Sequence, residues 1–187
     1  MKKFTFKSVG IPTIVLFLIA AICTAILAVT NNVTAPKIAD NNAKAEIEAR
    51  KRVFTQAADF SDVKEINGST YVEALDEKGN LIGYVFTTSS KGYGGEIKVM
   101  TGIDKDGKVT GMDILSIAET AGLGMNAKKD EFKNQYKDNT GIFTVVKNGA
   151  GENEIQALTG ATITSQAVTD AVNIAVDCFN TLTGGDK

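Results

Sequence analysis

From Ile11 to Val29 the chain runs IPTIVLFLIAAICTAILAV, with no charged position. About twenty apolar residues suffice to cross a bilayer core as a helix, so the pattern predicts one transmembrane helix over residues 11–30. Pro12 falls near its start, where a missing N–H is tolerated. A cleaved signal peptide would carry a shorter apolar stretch ending in a small-residue site. Ala25 and Ala28 are wrongly spaced for one, and Ile22 is too bulky for a lipoprotein site at Cys23. Lys2, Lys3 and Lys7 precede the span, and the next basic residue is Lys37. Positive residues stay on the cytoplasmic side. The expectation is a cytoplasmic segment over 1–10, with everything beyond the span outside the cytoplasm.

After the span the period changes. Asn31 to Ala35 and Pro36 read as a short exit. Apolar positions at Ile38, Ala45, Ala49 and Val53 then recur every three to four residues or multiples of that spacing, predicting a stalk helix over 37–58. Residues 31–58 are expected to link the anchor to a domain over 59–187. Alternating runs predict strands over 70–75, 81–88, 96–104 and 109–117, separated by glycine-containing turns. Ile97, Val99, Thr101 and Ile103 should share one strand face. A short helix is expected over 128–137, with Phe132 and Tyr136 on one side, and further strands over 142–147 and 154–158. A final helix over 164–182 should bury Val168, Ala171, Ala175, Phe179 and Leu182 and stop at Gly184-Gly185. Strand runs flanked by helices give an α+β class, a twisted and mainly antiparallel sheet with flanking helices behind one transmembrane helix.

Composition narrows the chemistry. The 187 residues carry a formal net charge of −2, too near neutral for a nucleic-acid partner. Histidine is absent, which removes His-based triads, His-ligated metals and the commonest neutral-pH base. The two cysteines, Cys23 and Cys178, have no zinc or redox spacing. The acidic turn Asp104-Lys105-Asp106-Gly107-Lys108 lacks the ligand spacing and terminal Glu of a calcium loop, so no metal site is expected.

Three short motifs remain. Gly92-Tyr93-Gly94-Gly95 can be a simple turn, or backbone close to a flat ligand with Tyr93 as an aromatic contact. Glu119-Thr120-Ala121-Gly122-Leu123-Gly124 can be a plain connection, or a loop whose glycines admit a ligand while Leu123 rests on a ring. It is not the dinucleotide fingerprint. Thr159-Gly160-Ala161-Thr162, ahead of Thr164 and Ser165, can be only a helix cap, since Thr162, Thr164 and Ser165 are all suitable residues. A small-residue turn opening a helix also suits a phosphate. No Gly-Lys-Ser/Thr follows, so it is not a P-loop. The hydroxyls have no histidine beside them as base.

Taken in order behind one N-terminal span, GYGG, ETAGLG and TGAT closely resemble the FMN-binding domain family of membrane redox complexes. Within it the chain is most similar to RnfG, the G subunit of the Rnf electron-transport complex. NqrC, the C subunit of the sodium-pumping NADH:quinone oxidoreductase, is a relative. The resemblance covers nearly the whole chain. It implies an FMN joined through its phosphate to Thr162, by a phosphoester that a separate flavin transferase makes from FAD with magnesium. It places Glu119, Thr120, Gly122, Leu123 and Gly124 beside the flavin, with Tyr93 and Gly94 from the first motif. Thr159 would offer a hydroxyl near the phosphate, Gly160 and Ala161 would leave it room, and Thr164 would stand next to the acceptor. Two positions depart from the family pattern: Gln156 replaces a frequent Asp, and Ala121 a frequent Pro.

The function so implied is electron transfer in an ion-translocating ferredoxin:NAD+ oxidoreductase, with the other Rnf subunits and the lipid bilayer as partners and no complete reaction by this chain alone. Two alternatives stay open: an FMN-carrying component of another extracytoplasmic or quinone-linked reductase, and a flavin-free structural module of the same fold.

Overall fold

The computed structural model describes residues 6–149 and 151–184. Lys2, Lys3 and Gly185, which entered the expectations above, lie outside them. The chain divides into two units, Met1–Lys44 and Ala45–Lys187.

A single helix, α1 (Phe6–Val53), contains the apolar run. In the first unit the side chains of this run are exposed, Phe17 at 70% and Leu27 at 69%, and the helix is long and apolar enough to cross a membrane. The expected exit at Asn31–Ala35 is helical instead, and the helix ends at Val53 rather than Ala58. Pro36 removes one backbone donor, while the Ala-, Lys- and Glu-rich residues after it favour helix. The Thr34 hydroxyl donates back to the Thr30 carbonyl at 2.9 Å, as a side chain inside a helix can.

The second unit is built on an antiparallel sheet of β1 (Asp59–Phe60), β2 (Lys64–Ile66), β3 (Ser69–Leu75), β4 (Leu81–Lys91), β5 (Glu96–Asp104) and β6 (Val109–Ser116). The spatial order is β1-β3-β4-β5-β6, with β2 also paired to β3. The four long strands fall close to their expected ranges. β1 and β2 had no expected counterpart, because two- and three-residue edge strands leave no alternation to detect. A 3-10 turn (Gly124–Lys128), α2 (Asp130–Lys133), the parallel pair β7 (Thr144–Val146) and β8 (Glu154–Gln156), and α3 (Thr162–Thr183) complete the unit. The helix expected over 128–137 is thus reduced to one α-helical turn. Its two aromatics nevertheless bury together, with Phe132 and Tyr136 ring centroids 5.9 Å apart.

β5 is buried on both faces. Ile97, Val99 and Ile103 join Phe86 and the α3 residues Val168, Ala171, Ala175 and Phe179 in the larger core. Leu182, also expected inside, packs against it while only partly buried. Met100 faces the other way, into a smaller core with Ala49, Val53, Phe54, Val72 and Val85. Val53 and Phe54 approach so closely that a Cβ at Gly83 would strike the Phe54 ring, and one at Gly102 would strike the Val53 carbonyl. Thr110 donates its hydroxyl to that carbonyl at 2.6 Å, satisfying one of the acceptors a helix end leaves open. Each fully buried side chain of this size contributes about 1.5–3 kcal/mol.

A charged cluster ties the sheet to its helices. Asp113 on β6 receives Arg52 at 2.8 Å and Lys133 at 3.3 Å. Burial pushes the Asp113 carboxyl upward, but the Arg52 hydrogen bond and the charges of Lys133 and Arg52 outweigh it and hold it below its ordinary value. A lowered folded-state pKa means the unfolded chain binds the proton more readily. Its stabilising contribution is therefore complete above the ordinary carboxylate value of about 4 and is lost as pH falls through the lower folded value. Asp113→Asn should cost about 1 kcal/mol near neutral pH, a modest figure because Arg52 is largely exposed. Denaturant titrations of the full chain in detergent should show that deficit shrinking below pH about 4; a deficit independent of pH would refute the assignment.

Candidate functional site

The three motifs meet at one end of the sheet. Gly92-Tyr93-Gly94-Gly95 closes the hairpin between β4 and β5, with the Gly92 amide donating to the Gly95 carbonyl at 2.7 Å. The second motif leaves the end of β6. The third follows β8 and leads into α3. The β4–β5 hairpin, the segment after β6 and the turn after β8 therefore deliver three loops to one place.

Glu119 joins them. Its Oε1 accepts the Gly94 amide at 3.0 Å, and its Oε2 accepts the Thr164 hydroxyl at 3.1 Å. The surrounding glycines have steric reasons. A Cβ at Gly92 would collide with Glu119 Oε1, one at Gly94 with the Ala118 carbonyl, and one at Gly124 would lie 2.6 Å from Thr164 Oγ1.

Two similar turns face each other beside this carboxylate. In Leu158-Thr159-Gly160-Ala161 the Ala161 amide donates to the Leu158 carbonyl at 2.9 Å, and Gly160 has φ +74°. In Thr120-Ala121-Gly122-Leu123 the Leu123 amide donates to the Thr120 carbonyl at 3.2 Å, and Gly122 has φ +78°. Positive φ at the third position is the type II arrangement, which needs glycine there and favours proline at the second. The turns touch where Leu123 comes within 3.2 Å of the position a Cβ on Gly160 would take.

Ser165 anchors the third motif from below. Fully buried, it accepts the Leu158 amide at 2.9 Å and donates to the Ala161 carbonyl at 3.0 Å. Its own carbonyl accepts the Thr169 hydroxyl, which pairs with the Tyr136 hydroxyl at 2.8 Å. Burial pushes the Tyr136 phenol well up, so it serves as a neutral partner. The capping reading of the motif therefore fails: α3 begins at Thr162, its N-cap residue is Ala161, and no side chain caps it. Thr164 and Ser165 are directed to Glu119 and to the preceding turn instead. The first-turn amides of α3 are left for another acceptor, and an anion suits them.

Tyr93, Glu119, Thr120, Leu123, Gly124, Gly160, Ala161, Thr162 and Thr164 line a cleft of about 550 Å³. Small-molecule sites span roughly 300–1,000 Å³. Thr162 is exposed at this cleft, while Thr164 is buried. Tyr93, Leu123 and Ile163 are 75%, 43% and 57% exposed and give it an apolar rim. Ile163 escaped the sequence reading; its signal was an apolar residue placed off the buried stripe of α3. Gly94 reaches the cleft through its bond to Glu119. Gly122 and Thr159 line an adjoining cavity of about 760 Å³ with Lys129, Gln135 and Gln156. Gln156 is exposed there, and its backbone amide donates to Gln135 at 2.7 Å. The residues present fit a flavin with a phosphate tail: an apolar rim for a ring, and free helix amides beside a hydroxyl for the tail.

The model of the FMN-binding domain matches residues 92–177, and that of the RnfG N-terminal region matches residues 1–53. The chain is similar to the G subunit of the Na(+)-translocating ferredoxin:NAD(+) oxidoreductase complex of Acetobacterium woodii, 36% identical over 90% of both chains. It is 39% identical to the G subunit of the proton-translocating complex of Clostridium ljungdahlii, covering 86% of this chain and 85% of that one. The crystal structure of Shewanella oneidensis NqrC shares the fold, with a TM-score of 0.56 at 20% identity, covering 71% of this chain and 74% of that one.

The Thr120–Leu123 turn generates a test. Ala121 occupies the position where proline's fixed φ is already suited, and no described hydrogen bond uses its amide. Ala121→Pro should stabilise the chain by about 0.4–1 kcal/mol by restricting the unfolded state. Chemical denaturation measures it, and a loss of stability would show that the turn is not of type II.

Proposed function

We propose that this chain, which belongs to the RnfG family of ion-translocating ferredoxin:NAD+ oxidoreductase complexes, is a membrane-anchored carrier of covalent FMN. Within such a complex it would pass electrons between other subunits and complete no reaction by itself. FMN supplies the redox chemistry; the chain supplies binding, orientation and electrostatics.

The observation that carries the covalent reading is an exposed threonine, Thr162, lining the cleft on the first turn of an uncapped helix. An oxygen there can form a phosphoester while the Thr162–Thr164 amides of α3 face the remaining phosphate charge. Gly160 and Ala161 add no bulk on the approach. Glu119 holds the first and third motifs at fixed spacing, and Tyr93, Leu123 and Ile163 offer apolar contact to a ring. No histidine exists to activate Thr162, which favours an external flavin transferase. Attack of the hydroxyl on FAD would form the Thr162 O–P bond, break the pyrophosphate bond and release AMP. In this reading residues 1–10 are cytoplasmic, 11–30 span the membrane, 31–58 form the stalk and 59–187 are the extracytoplasmic FMN domain. The lysine bias across the span supports that orientation.

Co-expression with a flavin transferase, followed by denaturation and mass measurement, should show one FMN ester on the wild-type chain. Thr162→Val should carry none while keeping its stability within about 0.5 kcal/mol, as expected for an exposed side chain. Retained flavin on Thr162→Val would move the acceptor to Thr159 or Thr164, and an unmodified wild-type chain would defeat the covalent reading. For orientation, protease added to intact spheroplasts should digest the domain, and full protection would reverse the assignment.

A further inference from the structure

We propose that the cleft selects its flavin by phosphate charge, accepting a singly charged phosphodiester and rejecting the free mononucleotide, with Glu119 as the specificity-determining residue. The inference rests on the reading that this cleft holds FMN.

Among the described residues lining the cleft there is one carboxylate and no lysine or arginine. Lys129 lines the adjoining cavity instead. The positive partners of a phosphate are then the first-turn amides of α3, equivalent to roughly half an elementary charge. Glu119 is held beside that end of the helix, because its Oε2 accepts the side-chain hydroxyl of Thr164, the third helical residue, at 3.1 Å. Its Oε1 is held by the Gly94 amide, and a Cβ at Gly92 or Gly124 would collide with its side chain. The carboxylate is therefore fixed in place and cannot swing away from an arriving anion.

A free phosphate monoester carries about −1.5 to −2 charges near neutral pH, with its second pKa near 6. Esterified to an alcohol, the same phosphate has lost that second acidic proton and carries one charge. An uncapped helix end offsets part of a single negative charge beside a carboxylate, whereas a second charge meets Glu119 with no cation to offset it. Many sites for free phosphates add lysine or arginine for this purpose. The cleft is thus suited to the tethered product and unsuited to the untethered cofactor, so unmodified chain would not fill with free FMN.

The test uses the full chain purified in detergent without a flavin transferase. Quenching of flavin fluorescence reports binding of riboflavin, FMN and the methyl phosphodiester of FMN, which mimics the threonyl ester. The methyl diester should bind at least about tenfold tighter than FMN near neutral pH. The gap should narrow below pH about 6, where the monoester takes up a proton. It should also narrow in Glu119→Gln, which keeps a carbonyl to accept the Gly94 amide. FMN binding as tightly as its methyl diester, or none of the three binding at concentrations up to about 1 mM, overturns the proposal. The mass of transferase-treated chain reports separately on the underlying reading. Flavin on Thr162 with a cleft that prefers free FMN sinks only the discrimination, and a chain that never gains flavin sinks the reading beneath it.

Discussion

Burial of β5 from both sides fixes the layout of the domain. Ile97, Val99 and Ile103 require one apolar cover and Met100 another. α3 provides the first, and the end of α1 with Phe54 provides the second. Neither cover can shift far. Gly83 and Gly102 leave room for Val53 and Phe54 and for no extra atom, and interiors packed this closely pass displacement on to their neighbours. The β4–β5 hairpin and the start of α3 are therefore held at a set separation, and Glu119 spans it with two hydrogen bonds. The site inherits its geometry from a core that contains none of its chemistry.

The carboxylate and the glycines around it form one device. A longer or bulkier residue at 92, 94 or 124 would push Glu119 or Ala118 aside and open the gap between loops. These glycines serve close approach more than conformational freedom, whereas Gly122 and Gly160 are required for their positive φ. Sequence cannot separate the two uses, because the same letter satisfies both.

Much of the fold was legible because it rests on periodicity. β3 to β6 alternate, α3 carries a 3.6-residue apolar stripe, and residues 11–29 lack charge. What escaped has physical causes. β1 and β2 are too short to show a period. Pro36 and Asn31-Asn32 suggested a break, but losing one hydrogen bond did not outweigh the helical flanks. The 128–137 helix shrank to Asp130–Lys133 because Phe132 in that turn and Tyr136 in the non-helical turns after it bury their rings without further helix. At the cleft, the motifs were visible as letters and as a family resemblance. Glu119 as the bridge between them was not, since its partners Gly94 and Thr164 lie 25 and 45 residues away.

The start of α3 shows how stability and function diverge in this chain. Thr162, Thr164 and Ser165 could each cap a helix, and a good cap is worth about 1 kcal/mol. The chain places Ala161 at the capping position and directs two hydroxyls elsewhere, Ser165 to the preceding turn and Thr164 to Glu119, while Thr162 lines the cleft. Ser165 recovers part of the loss by tying Leu158 to Ala161, so the turn stays fixed although the amides beyond it are unpaired. A cap at Ala161 would strengthen the helix and compete with a phosphate for the same amides. Forgoing it leaves a preorganised anion seat next to a hydroxyl, at a cost the two buried cores can absorb.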